Sequence, residues 1–225
     1  MKKVLIITYY WPPAGGPGVQ RVLKFAKYLP EFGWQPVILT VLDGEYPAYD
    51  IELKEEIPKG IKIFKTSTIE PFVLYKLFFG MRTDTHLSTH VLDTMKNKSY
   101  KQKISQLIRA NLFIPDARIW WYLFAVKKGI KLVKNEKIDL IMSSSPPQTT
   151  HLIAKKIAQK TGKKWIADFR DPWTDYFRIK DLPRIGLIKK LDKHYEHSVL
   201  RNADTVVTSG NSLGDLLNQK IKNNY

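Results

Sequence analysis

The sequence predicts an α/β protein built on a doubly wound, mainly parallel sheet with helices on both faces. Three observations carry this expectation. Short apolar runs of strand type recur at Val4–Thr8, Pro36–Val41, Ile61–Lys65, Asp139–Ser143, Lys164–Asp168 and Asp204–Thr208. Helical patterns stand between most of them, and right-handed crossovers turn such an alternation into a parallel sheet. A glycine-rich loop separates the first strand from the first helix, the place where α/β proteins present backbone N–H groups to a phosphate.

The elements follow in order. Met1–Thr8 (MKKVLIIT) is a short apolar strand. Tyr9–Gly18 (YYWPPAGGPG) is a turn-rich loop, and an amphipathic helix runs from Val19 to Phe32 and closes at Gly33. PVILTV and the shorter, alternating IKIFK are the second and third strands. The stretch from about 70 to 114 holds no clear strand and is expected to be a helical insertion. It has an apolar, aromatic part (Phe72–Met81, with Lys76 and Arg82), a polar stretch, and a basic helix from about Lys96 to Leu112. Pro115 and Asp116 then open a helix over Ile119–Asn135, proline at the start and an acid in the first turn being ordinary helix-entry chemistry. Trp120 and Trp121 are expected in the core. Helices over Thr149–Thr161, Gly186–Asn202 and Ser212–Lys222 alternate with the last three strands, and Pro172–Pro183 is an aromatic, charged loop. Long insertions after strands tend to line ligand sites.

At 225 residues the chain fits a single domain spanning 1–225 and buries a sizeable core. It has no cysteine, so disulfides and thiolate metal sites are excluded. Its 37 Lys and Arg against 21 Asp and Glu give +16, a field that favours anionic partners. Nucleic acid is not expected among them, because the lysines are spread over many helices and no recognition motif is present. The apolar run behind Lys2 and Lys3 is too short for a leader, and no stretch approaches the ~20 residues of a membrane span. A cytoplasmic protein is expected, with peripheral contact to the inner face of the plasma membrane. That contact would come from Phe72–Met81 and the basic helix Lys96–Arg109, whose other reading is a packed lid with a solvated basic face.

Four groups of residues are candidates for chemistry. Gly15, Gly16 and Gly18 let a ligand approach the backbone, the helix that begins there points its positive end at the loop, and Arg21 lies one turn in. An anion such as the diphosphate of a nucleotide suits that place. Gly16 and Gly18 also resemble half of a dinucleotide fingerprint with Asp43 as the ribose acid, although Arg21 stands where its third glycine belongs. Ser143–Gln148 (SSSPPQ) ends the fourth strand. Its serines are expected to orient sugar hydroxyls while Thr149 or Thr150 caps the next helix. His151, one turn in, reads as a ligand-facing or a buried histidine. Asp168-Phe169-Arg170-Asp171-Pro172-Trp173 is the sharpest polar cluster. An aspartate there suits a hydroxyl or its proton, Arg170 a phosphate and Trp173 a sugar face; the other reading is an internal Asp–Arg ion pair. His194 and His197 lie three apart on a helix surface and form no zinc motif.

Several of these motifs stand together in one known family. Tyr9-Tyr10-Trp11-Pro12-Pro13-x-Gly15-Gly16 with Gly18 and Arg21 resembles the opening of the family 4 glycosyltransferases. Ser143–Pro147, Asp168–Trp173 and Ala203–Ser209 (ADTVVTS) follow in the same register, over essentially the whole chain. The resemblance implies the N-terminal, acceptor-side Rossmann-like domain of a retaining enzyme of GT-B fold, whose donor-binding half, with its paired glutamates, is absent from this sequence. It implies transfer of a sugar from a nucleotide-sugar donor to a cell-surface polysaccharide or glycolipid acceptor, with no metal, no cofactor, and no turnover by this half alone. Gly15, Gly16, Gly18 and Arg21 would adjoin the donor phosphate and sugar. Ser144, Ser145, Arg170 and Trp173 would bind acceptor, and Asp168, Asp171 and His151 are the catalytic candidates, although such enzymes are thought to use the donor phosphate itself as base. The rival readings are an NAD-type dinucleotide-binding domain using Gly16, Gly18 and Asp43, and a non-enzymatic module for anionic membranes or nucleic acid.

Overall fold

The computed structural model describes residues 1–69, 107 and 110–222. Six strands form one sheet: β1 (Lys2–Ile7), β2 (Trp34–Val41), β3 (Lys62–Thr66), β4 (Leu140–Ser145), β5 (Lys164–Phe169) and β6 (Thr205–Thr208). Every pairing is parallel and the spatial order is β3-β2-β1-β4-β5-β6. This is the doubly wound, Rossmann-like sheet expected from the sequence, and each strand lies within two residues of its expected start and end. The helices are α1 (Pro17–Tyr28), α2 (Trp121–Asn135), α3 (Thr149–Thr161), α4 (Phe177–Lys180), α5 (Gly186–Asn202) and α6 (Asn211–Lys222).

Strand alternation divides the core in two. Leu5, Ile7, Ile141, Trp165, Ala167 and Phe169 face α2, α3, α5 and α6, whereas Val4, Ile6, Met142 and the half-buried Ile166 face α1. β1 is apolar on both sides because it is covered on both sides. α1 buries Val19, Val22, Leu23 and Ala26, the i, i+3, i+4, i+7 stripe of a helix laid on a sheet.

Four details differ from expectation. The first helix begins at Pro17 and gives way at Leu29 to a 3-10 turn, Leu29–Phe32, where Pro30 lacks the N–H an α-helix needs; Gly33 ends the turn at φ 78°. The loop 172–183 contains the short helix α4, and Glu52–Lys54 forms a 3-10 turn that no period announces. Trp121 is fully buried, but Trp120 is 43% exposed. The expected membrane or lid element at Phe72–Met81, and most of the basic helix Lys96–Arg109, lie outside the described residues. Among the described residues no helix is long and apolar enough to cross a membrane.

The loop after β5 is pinned from behind. The Trp173 indole N–H donates to Asp192 (2.9 Å), whose other oxygen takes Arg184. Arg184 also donates to the carbonyls of Ala110 (3.1 Å) and Pro115 (2.9 Å). Lys220 joins Asp175 and the wholly buried Glu196, which also accepts from Thr174 (2.5 Å). Burial pushes the Asp192 carboxyl up against the stabilising charge of Arg184. Losing one member of a buried pair strands the other, so Arg184→Met should cost about 3–5 kcal/mol. A fall in the urea midpoint of that size, partly reversed in Arg184→Met/Asp192→Leu, is the expected outcome of chemical denaturation.

Candidate functional site

The chain winds outward from β1 in one direction and from β4 in the other. Loops leaving the carboxyl ends of these strands therefore part and open a crevice between them, the usual ligand position in such sheets. Its walls are the β1–α1 loop (residues 8–16), the β4–α3 loop (146–148) and the start of the loop after β5.

The β1–α1 loop ends in Gly16, which takes φ 99° and begins α1 with no side-chain cap and no acid in the first turn. The first turn of the helix thus supplies no acid of its own to its positive end. Over it lies Arg170. Its Nε donates to the Ser145 carbonyl (2.9 Å), and its guanidinium packs so close to Gly18 that a Cβ there would overlap Nη1, Cζ and Nη2. The Arg170 guanidinium thus occupies the space beside Gly18, and a side chain there would have to displace it. Burial pushes the Arg170 pKa down, Asp171, Asp168 and Tyr10 oppose that shift, and Arg21 adds to it. A half-buried cation, a second cation and a helix N-terminus converge here.

Arg21 is already paired. Its Nε donates to both Asp168 oxygens (3.2 and 3.0 Å) and its Nη2 to one of them (2.7 Å). Ser144 Oγ donates to the same carboxylate (2.7 Å), and Asp168 is wholly buried. The hydrogen bond to Asp168 holds the Arg21 pKa up. Three expectations are corrected by this arrangement. Asp168 holds α1 and β4 to β5 and has no exposed oxygen for a substrate. Ser144 is turned to Asp168, and Arg21 is neutralised; Arg170 supplies the charge at the loop instead.

Burial corrects the expectation for Trp173 and decides between the two readings of His151. Trp173 is 1% exposed and packs in the core with its N–H on Asp192, so it offers no stacking face to the crevice. His151 is fully buried: Nδ1 pairs with Ser143 Oγ (2.7 Å) and the ring lies 4.4 Å from Phe169. Burial pushes its pKa down to about 3, which makes it a neutral core residue rather than a base. Ser145 is buried too, and its Oγ has no hydrogen-bond partner among the described residues. Asp171 stays half-buried beside Arg170, while His194 is exposed and His197 half-buried on α5.

The sequence reading missed a second carboxylate knot. Asp116 was expected to serve the helix that follows it, yet it accepts the Thr149 N–H (2.8 Å), the Thr149 hydroxyl (2.9 Å) and the Arg118 N–H (2.9 Å). It therefore caps α3, a task expected of Thr149 or Thr150. Thr150 instead donates to the Pro147 (2.8 Å) and Ser144 (3.0 Å) carbonyls. Burial pushes the Asp116 pKa up, and these bonds oppose the shift. Arg118 lies over the Tyr9 ring (5.0 Å), donates to the Glu45 carbonyl (2.8 Å) and hydrogen-bonds Tyr10, whose pKa burial raises. Only the local spacing of Pro115, Asp116 and Arg118 was visible beforehand, and that pattern pointed to the wrong helix.

The His151 shift has a definite sign. The folded pKa lies below the ordinary value of 6.5, so the unfolded chain binds more protons. The stability is complete above that value and falls by about 1.4 kcal/mol per pH unit as pH drops from there toward 3. Long-range proton–nitrogen NMR should show a neutral His151 ring at pH 5; an imidazolium pattern there would contradict the packing described.

No protein-family model matches the chain, and no curated protein matches it. Solved structures do match. Sucrose-phosphate synthase from Thermosynechococcus elongatus superposes with a TM-score of 0.54 at 10% identity, over 97% of this chain and 45% of that one. Anabaena Alr3699/HepE in complex with UDP and glucose gives 0.51 at 10% identity, over 98% of this chain and 41% of that one. At such identities the likeness is one of fold alone. The chain spans less than half the length of these structures, and shares with them a Rossmann-like fold.

Proposed function

We propose that this chain is the acceptor-side, N-terminal half of a retaining GT-B glycosyltransferase of the family 4 type. In this reading it moves a sugar from a nucleotide-sugar donor to a cell-surface polysaccharide or glycolipid acceptor, at the cytoplasmic face of the membrane. The observation that carries the proposal is Arg170, held over the uncapped N-terminus of α1 by the close approach at Gly18. Helix amides and a desolvated guanidinium suit a diphosphate, which gains charge-assisted hydrogen bonds from both. The solved complexes of HepE with UDP lend support, since they share this fold.

The division of labour follows from the charges. Arg170 and the Gly15–Gly18 loop neutralise the leaving diphosphate, while Arg21 and Asp168 fix the helix that carries the loop. Asp171, beside Arg170 at the end of β5, stands on the acceptor side, while the buried Ser145 holds Arg170 through its carbonyl. A second half-domain supplies the remaining donor contacts, so this chain by itself binds nucleotide without turnover.

Calorimetric titration with UDP tests the reading. Losing one charge-assisted contact removes about 1.5–3 kcal/mol, so Arg170→Gln should weaken UDP at least tenfold while leaving the melting temperature nearly unchanged. Arg21→Gln should lower the melting temperature by several degrees, because it strands Asp168. Failure of UDP to bind, or equal affinity in Arg170→Gln, rules the proposal out. Tighter binding of NAD than of UDP would put the dinucleotide reading in its place.

A further inference from the structure

The charges of α5 are sorted by face. Its two carboxylates, Asp192 and Glu196, are buried, and each is held by an internal cation, Asp192 by Arg184 and Glu196 by Lys220. With Val199 they form the inward i, i+4, i+7 stripe of the helix. The opposite stripe, at helical spacing, is Leu187, Lys190, Leu191 and His194, all exposed. Lys189 and Lys193 flank it and are exposed as well. The side chains of these three lysines have no ion pair among the described residues. The outer face of the first turns is therefore cationic with no acid on it. Asp181, ahead of the helix, is the nearest exposed acid along the chain.

Apolar side chains stand among these lysines. Leu187 is 72% exposed, and Ile185, the residue before the helix, is 55% exposed. Asn111 ties a further segment to this edge. Its side chain accepts the Ile185 N–H (2.9 Å) and donates to the Pro183 carbonyl (3.0 Å), and its neighbour Leu112 is exposed too. Single exposed leucines are ordinary on a protein surface. Here they are gathered on two joined segments and interleaved with unpaired lysines. That is the pattern of an interfacial helix, which sinks apolar side chains into a bilayer while its cations meet anionic headgroups. A nucleic-acid backbone would use the lysines and leave the leucines in water.

The face also lies at the useful end of the molecule. α5 is the crossover from β5 to β6, so it runs against the strands and starts at their carboxyl ends, where the crevice opens. Asp192 fastens this end of the helix to Trp173, in the loop that carries Arg170 and Asp171. We infer that the first turns of α5, with Ile185 and Leu112, dock this chain on an anionic lipid bilayer and bring the mouth of the crevice beside the membrane. The inference deepens the reading of a glycolipid acceptor and rests on it for its purpose. Headgroup attraction and apolar burial add, so lysines and leucines both contribute to the docking.

The chain has no cysteine, so Leu187→Cys and Lys131→Cys each offer one thiol for an environment-sensitive dye. Lys131 is exposed on α2 and serves as the reference. Both labelled chains are mixed with vesicles of phosphatidylcholine alone and of phosphatidylcholine with phosphatidylglycerol. The dye at position 187 is expected to brighten and shift to the blue with the anionic vesicles only, and the dye at 131 to stay in water with both. In cosedimentation, Lys189→Gln/Lys190→Gln/Lys193→Gln should weaken binding to the anionic vesicles by at least about tenfold. Lys127→Gln/Lys131→Gln/Lys134→Gln, which removes the same charge from α2, should weaken it by less than about threefold. The inference is overturned if the dye at 187 stays in water with the anionic vesicles, if the α2 variant loses as much binding as the α5 variant, or if a short DNA oligonucleotide shifts the dye as the vesicles do. UDP is titrated into the same samples. Insertion without UDP binding upholds the docking face and removes the phosphate reading, and UDP binding without insertion does the reverse.

Discussion

The ion pair between Arg21 and Asp168 is the contact around which the crevice is arranged, and two geometric periods make it possible. Along β5, residues 166 and 168 point to the face that α1 covers, and Arg170 follows just past the strand's end; Ile166 packs in that core and Asp168 meets Arg21. Along α1, positions 18 and 21 share a face because they are three apart. The strand's pair of Asp168 and Arg170 thus meets the helix's pair of Gly18 and Arg21. The carboxylate takes the arginine, and the second arginine lies over the glycine. Exchanging either partner for a neutral residue leaves a buried or half-buried charge, which is why the four positions are best understood as one unit.

That unit also fixes which cation serves the loop. Arg21 is nearer in sequence to the glycines, and proximity along the chain favoured it as the phosphate residue. The structure gives it to Asp168, and Arg170 arrives from 152 residues away along the chain to cover Gly18. The sheet was legible because its signal is local: apolar runs such as PVILTV and KWIAD carry their own period, and helices such as Thr149–Thr161 carry theirs. The first helix departed from its expected bounds at its start, which lies at Pro17 rather than Val19, and where Pro30 intervened. The pairings were not legible. Asp116 with Thr149 and Arg184 with Pro115 depend on how crossovers return the chain, and no spacing within either segment encodes them.

Burial separated the candidates that sequence could only group. Asp168, Asp171 and His151 are all polar residues near the carboxyl ends of strands, so each qualified for proton chemistry. Asp168 is held by Arg21 and Ser144, and His151 is neutral in the core against Phe169. Asp171 alone of the three keeps partial exposure. Trp173 was grouped with them as a sugar platform because it follows Asp171-Pro172, but a proline turn and the Asp192 carboxylate draw its ring inward.

The charge balance of the crevice gives the last step. Its two carboxylate knots, at Asp168 and Asp116, are taken up by internal partners, and each is buried where a bound anion would otherwise be repelled. Beside them remain the helix N-terminus, a desolvated Arg170, and the Arg118 guanidinium engaged with Tyr9 and Tyr10. A protein that buries its acids and leaves cations at a strand-end crevice is organised to hold an anion still. Proton transfer would need the reverse, an exposed base; His151 and Asp168 are buried, and of the three candidates Asp171 alone keeps partial exposure. In the proposed reading the contribution of Arg170 and the α1 N-terminus would be electrostatic: they would orient and neutralise a phosphate.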